Sequence, residues 1–276
     1  TVRPFQQLSL SGLVSVTRGS SLSGNSTTFL HPSHTQSGNG GSASRSVCSS
    51  RDRLAELTGT FADNFGSHNV TLLGGYGYQD AMDENFGASN SRFTTDQFDW
   101  NALQTGTGVR DGVNGAPSSG KSDSKLINFF GRLNYDYANK YLLMVSLNRE
   151  GSSRFGEGNK WGYFPGVSAG WRLSEEGFMD RFGFVDDLRL RAGWGITGIA
   201  PGGSYQSLNT YSYTSDRMLY NGEWVQGFRP TRNANPNLKW EEKTEINVGV
   251  NFALFNGKLT GALDVYNRET NDMLYG

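Results

Sequence analysis

The amino-acid sequence predicts an all-β protein, a segment of an antiparallel transmembrane β-barrel with about nine strands and long extracellular loops. Three observations support this fold class. Apolar and polar residues alternate with a period of two along many short stretches. The chain is polar on average, with a mean hydropathy of -0.53, yet it has 37 glycines and 13% aromatic residues. Short turns and long polar connections also alternate along the chain.

The period-two alternation defines the predicted strands. In the segment 246–254, Ile246, Val248, Val250 and Phe252 alternate with polar or small residues. Similar stretches are about ten residues long, which is the length that a tilted membrane-spanning strand requires. The predicted strands are 8–17, 53–65, 70–78, 129–137, 141–149, 167–173, 188–197, 246–254 and 259–268.

The connections between these strands alternate in length. Short polar turns are predicted at 66–69, 138–140 and 256–257, and the link 174–187 has room for one or two helical turns. Long connections rich in Gly, Ser, Asn and Asp are predicted at 19–50, 81–123, 151–160 and 198–237. Barrels place short turns on the periplasmic side and long loops outside, so this order favours a barrel.

Aromatic residues gather at the predicted strand ends. Tyr135, Tyr137 and Tyr141 flank one turn, and Trp161 and Tyr163 begin another strand. Such residues form the interfacial girdles of a membrane barrel. A half-buried soluble sheet also favours aromatic residues. The one-sided arrangement of the long loops favours the membrane interpretation.

Several function classes lack support in the sequence. The 25 basic and 26 acidic residues nearly balance, and without a basic run we expect no nucleic-acid partner. His31 and His34 lie on a Ser/Gly-rich loop without cysteine or carboxylate neighbours, a poor metal site. No Ser/His/Asp arrangement with a recognisable nucleophile elbow occurs. We therefore expect no catalytic residues, no metal, no cofactor and no enzymatic activity.

The polar faces of the predicted strands carry charged residues. In a barrel these side chains line the lumen or contact whatever fills it. The alternative is that they form structural ion pairs across neighbouring strands. The candidates for the lumen-facing set are Arg132, Asp136, Arg172, Arg189, Arg191, Glu245 and Asp264.

The predicted loop 198–237 concentrates aromatic residues among polar ones. Aromatic planes beside amide groups suit a ligand that offers both apolar faces and hydroxyl groups. The alternative is that these residues pack against another loop or a lid protein. The candidates for ligand or lid contact are Tyr205, Tyr211, Tyr213, Tyr220, Trp224 and Phe228.

An ordered set of motifs resembles the SusC/RagA family of TonB-dependent outer-membrane transporters, over about residues 51–276. Each motif is short, but their order and spacing all fit that family. The motifs are NFFGRLNYDYANKYLL at 128–143, REGSSRF at 149–155, KWGYFP at 160–165, GWRLSEEGFM at 170–179, DLRLRAGWGITG at 187–198, NPNLKWE at 235–241 and VYNR at 265–268.

The resemblance implies a bacterial outer-membrane barrel of the 22-stranded class with a plugged lumen. It further implies import of oligosaccharides or peptides, driven by the TonB complex through a plug domain. A SusD-like surface lipoprotein would act as a lid, and outer-membrane lipid would surround the wall. The sequence departs from the complete family pattern, because it contains neither a plug nor a TonB box.

We therefore expect residues 1–276 to be a partial outer-membrane β-barrel domain, lacking the plug and the terminal strands. The odd strand number supports this, because single-chain bacterial barrels have even numbers. So does the end of the chain, Met273 to Gly276, which does not resemble a finished barrel edge. The alternatives are a passive or structural outer-membrane barrel, or a surface binding protein.

Overall fold

The structure, a computed structural model, describes residues 1–37 and 40–273. The expectation about the end of the chain therefore falls mostly outside the described residues. A short helix, α1, spans Pro32–Ser37, and 3-10 turns span Leu103–Thr105 and Leu173–Glu175. The strands are β1 (Val2–Phe5), β2 (Leu8–Thr27), β3 (Ser42–Phe65), β4 (His68–Ser91), β5 (Ser118–Tyr137), β6 (Tyr141–Ser152), β7 (Trp161–Arg172), β8 (Val185–Ile199), β9 (Thr210–Tyr220), β10 (Glu223–Arg232), β11 (Glu241–Leu254) and β12 (Leu259–Asn271).

Ten of these strands form one sheet in the order β1-β2-β3-β4-β5-β6-β7-β8-β11-β12, and β9 and β10 form a separate two-stranded sheet. The pairs from β5 to β12 are antiparallel, and β8 pairs directly with β11. At the turn between β5 and β6, Ala138 and Asn139 have positive φ angles of 53° and 55°. Two such residues in succession match the tight turns that the twist of a hairpin favours. The all-β antiparallel fold class is thus confirmed.

Eight of the nine predicted strands lie within observed strands, and the ninth, 167–173, runs one residue past β7 into the 3-10 turn Leu173–Glu175. The predicted loops were too long. β2 continues to Thr27 and β3 begins at Ser42, inside the predicted loop 19–50. β4 and β5 likewise extend into 81–123, and β9 and β10 lie inside 198–237. The extensions of β2, β3, β4 and β5 are rich in Ser, Gly and Asn, which have low strand propensity, so the sequence pattern indicated loops there. Backbone pairing with the neighbouring strand holds them extended.

The chain divides into two compact units. The first comprises Thr1–Val14, Leu54–Gln79 and Lys125–Gly276, and the second comprises Ser15–Arg53 and Asp80–Ser124. In the second unit, the Asn90 side chain donates to the carbonyls of Leu103 and Gly106, both at 2.8 Å, and accepts from the Val109 amide at 2.9 Å. One buried amide thus fixes the connection that leads from β4 towards β5.

In the first unit, strand register separates an apolar face from a polar face. Successive side chains of a strand alternate between faces, and directly paired residues share one. One row across six strands is Tyr135, Leu143, Ala169, Ala192, Val248 and Val265. The adjacent row on the other face is Asn134, Met144, Ser168, Gly193, Asn247 and Tyr266. The apolar face includes the first row, and the polar face includes the second.

The apolar face of the first unit is largely exposed. Val248 is 54% exposed, Leu263 is 69% exposed and Val265 is 76% exposed. In a soluble sheet such a face would pack against a second layer. The buried hydrophobic residues of this unit form one small cluster of Phe155, Phe164 and Trp240, among the described residues. Within 1–37 and 40–273, no protein layer therefore covers the apolar face.

Candidate functional site

All seven charged residues predicted to share a face do so. Asp136, Arg191 and Asp264 belong to one row of the polar face, and Arg132 and Glu245 belong to another. Arg172 lies directly opposite Arg189 in a further row. The period-two pattern of the sequence was thus sufficient to group them. Which side of a membrane wall this face turns to stays a prediction.

Several of these charges form ion pairs, which is the alternative that the sequence left open. Arg191 Nη2 lies 2.9 Å from Asp264 Oδ1, and Arg268 Nε donates to Glu245 Oε2 at 2.8 Å. The Arg191–Asp264 pair spans three strands, because Gly249 lies between the two residues in the register. A Cβ at Gly249 would overlap Asp264 Oδ1 and lie 3.0 Å from Arg191 Nη2. Glycine there leaves room for the pair.

Arg172 and Asp136 bind groups near the turns. Arg172 Nη2 lies 3.5 Å from Glu175 Oε1 and 3.7 Å from Asp187 Oδ1. Asp136 Oδ1 accepts from Asn69 Nδ2 at 3.1 Å and from the backbone amide of Asn139 at 3.0 Å. These contacts hold the turn ends of neighbouring strands together.

A cavity of about 410 Å³ opens on the polar face of the first unit. Its lining combines three amides, two hydroxyls, one carboxylate and two guanidinium groups with apolar residues such as Leu142 and Met144. In such a cavity the polar groups fix the orientation of a ligand. The polar side chains that line it are Asn69, Thr71, Asn134, Asp136, Ser168, Arg189, Arg191 and Asn247.

The aromatic loop predicted from the sequence is a two-stranded hairpin, β9–β10. Trp224 lies opposite Leu219, Phe228 opposite Tyr213, and Pro230 opposite Tyr211. Because positions 224, 228 and 230 share one side of β10, these residues form a single surface. We define this hairpin face as Tyr211, Tyr213, Leu219, Trp224, Phe228 and Pro230.

The hairpin face is strongly exposed. Tyr211 and Tyr213 are each 63% exposed, Trp224 is 66% exposed and Phe228 is 73% exposed. Tyr220 pairs with Glu223 on the opposite side of the hairpin, and the half-buried Tyr205 precedes β9. The structure thus brings together four of the six predicted aromatic residues and separates the other two.

A hydrophobic cluster at the base of this connection was not predicted. The Phe155 and Phe164 ring centroids lie 4.7 Å and 5.3 Å from that of Trp240. Trp240 Nε1 donates to the Lys160 carbonyl at 3.1 Å. Asn159 Nδ2 donates to the Pro236 carbonyl at 3.2 Å. Each of the three aromatic residues lies in one of the quoted motifs, which were the signal available in the sequence.

Glu176 binds side chains at the opposite end of the strands, where the turn after β7 lies. Its carboxylate accepts from the Tyr141 hydroxyl at 2.7 Å and from Trp171 Nε1 at 3.1 Å, and Lys140 Nζ lies 3.5 Å away. These contacts, first the Tyr141 hydrogen bond and then that of Trp171, lower the pKa of Glu176 below its usual value. Tyr141 and Trp171 belong to the apolar face. The Tyr141 hydroxyl and Trp171 Nε1 both reach Glu176 at the end of that face where the short turns lie.

The two histidines that the sequence placed on a loop lie just before α1 (His31) and within it (His34), each beside a hydroxyl group. His31 Nδ1 lies 2.7 Å from Ser33 Oγ, and His34 Nε2 lies 3.1 Å from Ser42 Oγ. Across 1–37 and 40–273, no group of three or more His, Cys, Asp or Glu residues is placed to hold a metal ion. Over the same ranges, no helix has both the length and the apolar character needed to span a membrane.

The family model described as "TonB dependent receptor-like, beta-barrel" matches residues 6–276. TonB-dependent receptor P3 of Formosa agariphila is 33% identical over 238 residues, which cover 86% of this chain and 23% of that protein. TonB-dependent receptor SusC of Bacteroides thetaiotaomicron is 40% identical over 151 residues, covering 54% of this chain and 15% of that protein. The chain therefore spans less than a quarter of the length of these relatives.

A solved structure of the RagAB peptide transporter has the same fold. It aligns with a TM-score of 0.85 at 24% sequence identity, covering 98% of this chain and 29% of that chain. A second structure, of the RagAB peptide importer in the "closed-closed" state, aligns with a TM-score of 0.84 at 23% identity, covering 99% of this chain and 29% of that chain.

Proposed function

The chain belongs to the TonB-dependent receptor-like β-barrel family, and from that premise we propose that it forms part of the wall and loops of an outer-membrane importer of oligomeric nutrients. The substrates would be oligosaccharides or peptides. One structural relative is named a peptide transporter, which is consistent with the peptide class. The apolar face would contact outer-membrane lipid, and the polar face would turn towards the lumen.

The hairpin face is the observation that carries the ligand assignment. Its four aromatic rings are each more than 60% exposed, and the exposed Arg217 lies on the same side of the hairpin. Aromatic planes stack on the apolar faces of sugars and peptide side chains, while hydroxyl and guanidinium groups bind their polar edges. The hairpin face would receive the substrate or dock a SusD-like surface lipoprotein. Energy would come from the TonB complex through a plug domain outside this chain.

We test this assignment with Tyr211→Ala, Tyr213→Ala and Trp224→Ala combined in the complete transporter. Uptake of the oligomeric substrate should fall, while the amount of folded transporter in the outer membrane stays unchanged. The matched control combines Met218→Ala, Tyr220→Ala and Val225→Ala, which lie on the opposite side of the same hairpin. This control should take up substrate normally.

Three outcomes would contradict the proposal. Loss of assembly in the first variant would mean that the hairpin face is structural. Unchanged uptake together with unchanged lipoprotein binding would mean that another surface contacts the ligand. Uptake that persists in cells lacking TonB would identify a passive barrel instead of an importer.

A further inference from the structure

We propose that the polar face holds a binding site for a carboxylate group, centred on Arg189 in the cavity of the first unit. The proposal rests on the proposed function only in placing this face inside a transporter. It depends on three features, namely the unpaired guanidinium, the polar cavity beside it and the distribution of charge around that cavity.

Arg189 differs from every other arginine that has a similarly buried nitrogen. Five arginines have an Nε atom that is shielded from solvent and makes no hydrogen bond. Arg51, Arg172 and Arg191 form ion pairs through other atoms, and Arg149 stacks 4.4 Å from the Trp161 ring centroid. Arg189 has neither kind of contact within the described ranges. An unmet charged donor of this kind is costly unless something else satisfies it.

Among the described residues, no carboxylate around Arg189 is free to act as its acceptor, and the buried Oδ1 of Asn251 opposite it makes no hydrogen bond either. Its direct neighbours in the register are Arg172 on β7 and Asn251 on β11. Like charges directly opposite each other destabilise a sheet. Asp187 is the nearest carboxylate along the strand. Its Oδ1 lies 3.7 Å from Arg172 Nη2 and accepts a hydrogen bond from Ser174 Oγ at 3.2 Å. Asp264 is likewise paired with Arg191.

The cavity has an acidic end and a basic end. Asp136 lies on β5, whereas Arg189 and Arg191 lie on β8, so three strand spacings separate them. At roughly 4.8 Å per spacing this is about 14 Å. Solvent and salt screen exposed charges beyond about 8–10 Å. The Asp136 carboxylate therefore does not exclude an anion from the basic end.

A carboxylate matches this basic end in geometry as well as charge. It can accept two parallel hydrogen bonds from one guanidinium, through Nε and a terminal nitrogen, if the side chain turns towards the cavity. The amides of Asn247 and Asn134 and the Ser168 hydroxyl line the same cavity and can bind the neighbouring polar atoms of the ligand. A neutral hydroxyl group would satisfy fewer of these donors. The carboxylate could belong to the substrate or to another segment of the transporter.

Calorimetry on the purified complete transporter, with triglutamate and triglutamine as probes, tests the substrate source. Triglutamate should bind more tightly than triglutamine. Arg189→Gln should weaken triglutamate binding by about tenfold or more, since hydrogen bonds to charged groups are of that strength. The control is Arg132→Gln, which removes an exposed charge from the same face outside the cavity and should leave binding unchanged.

Thermal unfolding distinguishes the second source. If a carboxylate of the transporter itself occupies the site, triglutamate will not bind the unaltered protein. Arg189→Gln will then lower the melting temperature more than Arg132→Gln at neutral pH. This difference will vanish in acid, where the carboxylate is protonated.

Two results would overturn the proposal. One is triglutamate binding that Arg189→Gln leaves unchanged. The other is an absence of binding together with equal melting temperatures for the two variants. Neither measurement depends on uptake by cells, so a failure of the import assay would leave this test intact.

Discussion

At the scale of single residues, Glu176 links an aromatic row to a basic side chain. Tyr137, Tyr141 and Trp171 follow one another across three strands, with ring centroids 6.2 Å and 6.3 Å apart. Two of their polar tips bind one carboxylate, which Lys140 also approaches. Tyr and Trp prefer positions where one end is apolar and the other wet. The Glu176 carboxylate provides a polar partner for the Tyr141 hydroxyl and the Trp171 indole N–H.

We predict a specific pH dependence for this carboxylate. The folded-state pKa of Glu176 lies below its ordinary value of 4.5. Its contribution to stability is therefore complete above pH 4.5 and is lost as the pH falls through the lower, folded-state pKa. Glu176→Gln should lower the melting temperature of the complete transporter at pH 7, and the difference from the unaltered protein should shrink below pH 4.5.

The control for this measurement is Asp180→Asn, which neutralises an exposed carboxylate in the same connection. It should change the melting temperature little at either pH. A Glu176→Gln difference that is equal at neutral and acid pH would contradict the electrostatic account. It would indicate instead that the substitution alters packing.

At the scale of strands, the face of the sheet on which a residue lies determines the surroundings of its side chain. Val248 and Asn247 are adjacent on β11, yet Val248 lies between Ala192 and Val265, whereas Asn247 lies between Gly193 and Tyr266. Two adjacent side chains of one strand therefore lie in different environments. A shift of the pairing by one residue would exchange them.

This arrangement predicts opposite outcomes for one substitution at neighbouring positions. Val248→Arg should destabilise the folded transporter in a bilayer by about 2–4 kcal/mol, because it places a cation in hydrocarbon. Asn247→Arg should be tolerated, since the Glu245 carboxylate lies on the same face. Equilibrium unfolding in lipid vesicles measures both changes. Equal stability of the two variants would mean that the apolar face does not contact lipid.

At the scale of the whole molecule, the proposed function fixes an orientation. In the first unit, the turn at Ser67 joins β3 to β4, and Ser212 lies on the hairpin between β8 and β11. Barrels of this class place short turns in the periplasm and long connections outside. The hairpin should therefore lie outside the cell, and the Ser67 turn should lie in the periplasm.

Cysteine labelling of intact cells tests this orientation. The exposed native cysteine is first removed as Cys48→Ser. In that background, a membrane-impermeant maleimide should label the Ser212→Cys variant but label the Ser67→Cys variant only after the outer membrane is opened. Labelling in the reverse order would overturn the orientation.

The sequence was most informative where side chains alternate between two contrasting environments. Ile246 to Leu254 showed that pattern clearly, so the strand and the grouping of Glu245 with Arg191 and Asp264 were predictable. The stretch from Gly19 to Thr27 offers little such contrast, because Ser, Gly and Asn predominate on both faces. Its backbone pairing cannot be predicted from amino-acid composition. The contacts of Trp240 were also beyond sequence analysis, because they join residues about 80 positions apart.

The β9–β10 hairpin leaves and re-enters the sheet at adjacent points, because Ile199 at the end of β8 pairs with Glu241 at the start of β11. The hydrogen-bonded ladder of the sheet thus continues from β8 to β11 without residues 200–240 between them. Evolution can lengthen, shorten or replace that excursion while the underlying register persists. Specificity and architecture can therefore diverge at different rates within one lineage. For the same reason, we expect a chimaera that exchanges residues 200–240 between relatives to fold, and under the proposed function its substrate preference should follow the exchanged segment.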